Sequence, residues 1–249
     1  MKLCGIAHFG LRLAGVVIAA VGGVATVATA AAFVPAESPI FTATTGRGEQ
    51  ARPRPFDPEL LRSGDIIRYR DLRRDDFLAA APPAEAAGLH GRLGAATCVF
   101  LVTDPGTSIR ASSSDQQRGL VRAQVENLGF LAFLDRECSW WNPAPVMLPD
   151  AYILQHEQIH FALFEIAARR LNSRAEELTR GMRAIAANQQ DAVGEIERRI
   201  DLEMQRALEE VMARSNDFDR ETSRAYRQDR QDWWWETISL ELERLAADF

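Results

Sequence analysis

The segment His156-Glu157-Gln158-Ile159-His160 sets two imidazoles four residues apart, with a carboxylate directly after the first. On an α-helix, residues four apart differ by about 40° in azimuth, so both rings project side by side and can share one metal ion. Glu157 lies about 100° from His156 on the same rim, where its carboxylate reaches a water on that ion without ligating the ion itself. Zinc brings the pKa of such a water to around 7, and the glutamate then takes its proton. The chemistry this spacing supports is hydrolysis, with His156 and His160 as ligands of Zn2+ and Glu157 as general base. The plainer alternative is two helix histidines making ordinary side-chain hydrogen bonds.

A catalytic zinc takes a third protein ligand and keeps one position open. The chain has 4 histidines, and the other two are poorly placed: His8 falls in an N-terminal apolar stretch and His90 in a loop far upstream. The third ligand is therefore expected from a carboxylate of the helical region. Asn216-Asp217-Phe218-Asp219-Arg220-Glu221-Thr222 meets a helix boundary, and Asp219 is the favoured ligand, with Glu221 the alternative. The competing role for Asp219 is a helix N-cap, a common position for aspartate. Glu165 stands nine residues after His156, about 180° around the helix, and is expected to pair with Arg169 instead.

These residues need elements to hold them. Strands are expected at 66–69, 97–102, 108–111 and 120–134, where apolar residues largely alternate, with a turn at Asp104-Pro105-Gly106. The stretch 79–94, rich in Ala, Pro and Gly, reads as a loop. After Pro149, Tyr152, Ile153, Ile159, Leu163, Ile166 and Ala167 recur at helical spacing. A second amphipathic helical region covers 175–214, Asn216-Asp217 is expected to break it, and a last helix runs over 222–247. Strands first and helices afterwards predict an α+β domain rather than an alternating parallel sheet. Trp140-Trp141 and Trp233-Trp234-Trp235 are expected mainly in the core, a substrate groove being the other use for them.

Composition narrows the partners. A net charge of −6 provides no broad positive field, which argues against nucleic acid. Residues 1–36 carry Lys2 and Arg12 ahead of an uncharged run from Leu13 to Val34, the pattern of an export signal peptide or of an N-terminal membrane anchor. Residues 37–59, polar and rich in Pro, Thr and Gly, read as a flexible linker. The folded domain is then 60–249, with strands over 60–140 and helices over 150–249. An exported body on the periplasmic or extracellular side of the inner membrane suits Cys98 and Cys138, an even pair that either joins as a disulfide or stays as two buried thiols.

Beyond the zinc motif, His156-Glu157-Gln158-Ile159-His160-Phe161 running on to Glu165 and Ala168-Arg169-Arg170-Leu171 resembles the bacterial HEQxHF family of predicted secreted zinc-dependent proteases. Matching pieces are Asp75-Asp76-Phe77 before Pro82-Pro83, Ser139-Trp140, and Phe218-Asp219-Arg220-Glu221-Thr222 followed by Gln231 and Trp233. Their order and spacing agree over roughly 60–240. The resemblance implies a zincin-like domain, in which a strand layer precedes the metal-binding helix and a later segment adds a ligand. The function it implies is that of a zinc metallopeptidase acting on peptide or cell-envelope substrates. Family members frequently carry a His-Gly pair after Thr222, where Ser223-Arg224 stands here. A non-catalytic envelope binding or assembly protein that keeps the fold is the alternative.

Overall fold

Apolar runs and apolar–polar alternation give the N-terminal half its strands, and Asp104 starts the reversal between two of them. The Asp104 carbonyl accepts from Thr107 N–H at 2.8 Å and its Oδ1 from Gly106 N–H at 2.7 Å, closing the expected turn. The computed structural model describes residues 5–8, 13–21, 65–83, 93–113, 119–144, 147–223 and 226–247. Its strands are β1 (Gly5–His8), β2 (Leu13–Val21), β3 (Ile66–Arg68), β4 (Leu93–Thr103), β5 (Ser108–Ser113), β6 (Val121–Asn127), β7 (Phe130–Asp135), β8 (Trp140–Trp141) and β9 (Arg183–Ala186). The helices are α1 (Asp150–Ser173), α2 (Ala175–Gly181), α3 (Gln189–Thr222) and α4 (Gln228–Ala247).

Every strand pair is antiparallel. One sheet runs β1-β5-β6-β9 and the other β2-β4-β7-β3, with β8 also on β4. The architecture is α+β, as the segregation of strands and helices predicted. Part of the stretch expected as an export signal, Leu13–Val21, runs here as a strand beside β4. An apolar run rich in Val and Ala suits a strand as well as a membrane span, because periodicity alone does not separate the two. No helix among the described residues is long and apolar enough to cross a membrane. The linker expected at 37–59 and His90 lie outside the described residues.

Three expectations are corrected. The 120–134 stretch is two strands, β6 and β7, parted at Leu128-Gly129. The 175–214 region is interrupted by β9, which pairs with β6 from Val121↔Ala186 to Gln124↔Arg183. Asn216-Asp217 does not break the helix, since α3 continues to Thr222. Both residues lie on its exposed face, where their low helix propensity costs only a few tenths of a kcal/mol each.

Helix α1 is the centre of the fold. It packs on β4 and β7 on one side and on α3 and α4 on the other, so its buried residues run nearly all round it, from Tyr152 to Leu171. Gly94 allows its close approach to β4, because a Cβ there would meet Ile153 Cδ1 at 2.6 Å. Asn172 ties the far end to β7, donating to Phe130 O and accepting from Phe130 N–H, both at 2.8 Å. Cys98 on β4 and Cys138 before β8 are joined as a disulfide, with Cα atoms 5.7 Å apart. Trp140 and Trp234 are buried as expected, but Trp233 is 48 % exposed.

Candidate metal centre

His156 and His160 project from successive turns of α1 with Nε2 atoms 3.1 Å apart. Asp219 arrives from the last turn of α3, its Oδ1 3.1 Å from each of those nitrogens. The three atoms therefore form an equilateral triangle, and all three side chains are buried. Protons do not satisfy it: each Nε2–H can donate to Oδ1, but the two nitrogens then face each other hydrogen to hydrogen. One cation met by three lone pairs does satisfy it. Ligand atoms around a tetrahedral ion with bonds of about 2.0–2.1 Å stand about 3.3 Å apart, close to the spacing here.

Electrostatics agree with that reading. Burial pushes the Asp219 carboxyl up, but His160 and His156 outweigh it and hold the group well below the usual carboxylate range. Burial lowers the His160 pKa, favouring the neutral, ligating form of the ring. Asp219 Oδ2 and His160 Nδ1 are buried with no hydrogen-bond partner. Phe218 forms the apolar wall, its ring centroid 4.4 Å from that of His156 and 5.1 Å from that of His160. Trp234 backs Phe218 at 5.5 Å.

Glu157 stays off the triangle, as its azimuth requires. Fully buried between α1 and β4, its Oε2 accepts from Thr97 Oγ1 at 2.7 Å, while Oε1 has no partner. Burial pushes its carboxyl up to about 7, against the pull of His156 and of the Thr97 hydrogen bond.

Of the expected ligands, the structure thus brings together His156, His160 and Asp219, and not Glu221. Two residues beyond Asp219 on the same helix, Glu221 is turned about 200° away. It pairs with Arg230 and accepts from Trp234 Nε1 at 3.0 Å. Nor is Asp219 an N-cap, since it belongs to the C-terminal end of α3. Glu165 pairs with Arg169 at 2.7 Å. Ser223 is buried and donates from Oγ to Asp219 Oδ1 at 3.3 Å.

Sequence reading missed Thr97, for which the signal was a hydroxyl inside the apolar run of β4. It also missed Tyr152, whose hydroxyl donates to Thr222 O at 2.8 Å and fixes the end of α3 against α1. Comparisons with family models, with curated proteins and with solved structures return no match for this chain.

Proposed function

We propose that this chain is an exported zinc-dependent metallopeptidase of the zincin-like type, related to the HEQxHF family, which hydrolyses peptide bonds in peptide or cell-envelope substrates outside the cytoplasm. The observation that carries the reading is the buried triangle of His156 Nε2, His160 Nε2 and Asp219 Oδ1 beside a buried glutamate. The donor set, two imidazoles and one carboxylate, suits a catalytic zinc. When bound, zinc supplies Lewis acidity, polarising a carbonyl and acidifying water.

The chain's own groups supply the proton handling and the positioning. Oε1 of Glu157 is the free oxygen that takes a proton, while Thr97 holds Oε2 and with it the rotamer. A carboxyl near 7 can both accept a proton and return it to a leaving amine at neutral pH. Phe218 excludes water from one side of the imidazoles.

The test is Glu157→Gln in zinc-loaded protein, assayed on a peptide library. Glutamine keeps the acceptor for Thr97, so zinc and fold are expected to persist while turnover falls by about 100-fold or more. Hydrolysis unchanged with zinc still bound would remove Glu157 from its role. One observation favours a second reading: His156, Glu157, His160 and Asp219 are each no more than 3 % exposed. A centre closed in this way also suits a metal that braces a non-catalytic binding or assembly module. Bound zinc with no hydrolysis by the unmutated protein would select that module.

A further inference from the structure

Between α1 and α3 lies a cavity of about 380 Å³, within the range of small-molecule sites. Its floor is apolar, with Leu163, Ile166 and Ala167 of α1 facing Ala207 and Val211 of α3. Its rim carries four guanidiniums, from Arg170, Arg174, Arg206 and Arg214.

These arginines are arranged as two groups, each with one carboxylate held between two of them. Glu203 lies 3.4 Å from Arg174 and 2.8 Å from Arg206, while Glu241 of α4 lies 2.6 Å from Arg170 and 2.8 Å from Arg214. In each group the carboxylate is the more buried partner, Glu203 at 16 % against 50 % for Arg174 and 68 % for Arg206. The negative charge is sunk, and the forks face outward. Glu210, 3.8 Å from Arg170, is itself 71 % exposed. Four guanidiniums against three carboxylates leave the mouth positive. A guanidinium has five N–H donors, and a carboxylate shared between two arginines leaves several of them for a ligand.

An apolar floor under an arginine rim recognises a molecule with a hydrocarbon body and one terminal carboxylate. We propose that this cavity binds a medium-chain aliphatic carboxylate, with the chain on the floor and the carboxylate at the Arg174–Glu203–Arg206 group. The cavity shares no residue with the metal cluster, so the assignment stands apart from the peptidase reading.

Calorimetric titration of the full-length protein in detergent-free buffer, with hexanoate, octanoate and decanoate, tests it. The expected result is one site per chain, tightening by up to about fourfold per methylene, the same with and without zinc and absent for octylammonium. Arg206→Glu, on an exposed side chain, is expected to weaken octanoate at least tenfold. Ala207→Trp, which fills the cavity, is expected to abolish binding, circular dichroism confirming that both variants fold. No saturable binding of octanoate or decanoate would overturn the proposal. So would binding that both variants leave unchanged, or octylammonium binding as well as octanoate.

Discussion

Asp219 occupies a costly position for a carboxylate. It sits in the last turn of α3, where the outward carbonyls make the helix end negative, and it is 3 % exposed. Such a group persists only with positive charge or strong donors around it, which is what the two imidazoles, with a cation shared among the three, would provide. Asp219→Ala and His160→Ala are each expected to reduce bound zinc from about one equivalent to well below a tenth, read by elemental analysis of purified protein. Thr97→Val leaves Glu157 Oε2 buried without its donor, and is expected to cost about 1–3 kcal/mol in denaturant unfolding, whereas Thr97→Ser retains the bond and most of the stability. The histidine pair was legible because its spacing is local to one helix. Asp219 was found from an acidic segment near a helix boundary, although that boundary is the end of α3 and not the start of the next helix. Thr97 stood 60 residues from its partner, with nothing nearby to announce it.

At the scale of elements, local signals succeeded wherever a segment's own pattern decides its structure. The helix α1, the body of α4 and the Asp104 turn follow from periodicity and turn chemistry, although α4 begins at Gln228 and not at 222 as expected. Strand β9 does not: Arg183-Ala184-Ile185-Ala186 is as compatible with helix, and only the free edge of β6 draws it into the sheet. The start of α3 is clear in structure, since Asn188 Oδ1 accepts from Asp191 N–H at 2.9 Å. Asn188→Ala is expected to cost about 1 kcal/mol, measured by thermal or urea unfolding. The bend after β3 is held by Asp76, which accepts from Arg70 at 2.7 and 2.8 Å and from Arg73 N–H at 2.7 Å. Burial raises the Asp76 carboxyl, but these donors outweigh it and leave the group below its ordinary value. A depressed carboxyl stabilises above its unfolded pKa, about 3.9. That contribution is lost as pH falls through the folded value. The stability gap between the protein and Asp76→Asn is therefore expected to be constant at neutral pH and to close below about pH 4.

For the molecule as a whole, one cross-link joins parts distant in sequence, and the proposed metal would add a second. The Cys98–Cys138 disulfide spans 40 residues, for which chain entropy gives about 4 kcal/mol; Cys98→Ala with Cys138→Ala is expected to lose about 2–4 kcal/mol of that by denaturant unfolding. A metal at the triangle joins α1 to α3 across 59 residues. Zinc at about 100 times its dissociation constant adds about 2.7 kcal/mol, so a chelator is expected to lower the melting temperature of the holoprotein and leave that of Asp219→Ala unchanged. Burial of all three ligand atoms also sets a clock. With Phe218 against His156 and Tyr152 tied to Thr222, an ion bound at this buried centre would be expected to leave only when the end of α3 parts from α1. Its residence time is then the waiting time for that local opening. Isotopic exchange of the ion and hydrogen exchange of amides in the last turn of α3 become two readings of one rate.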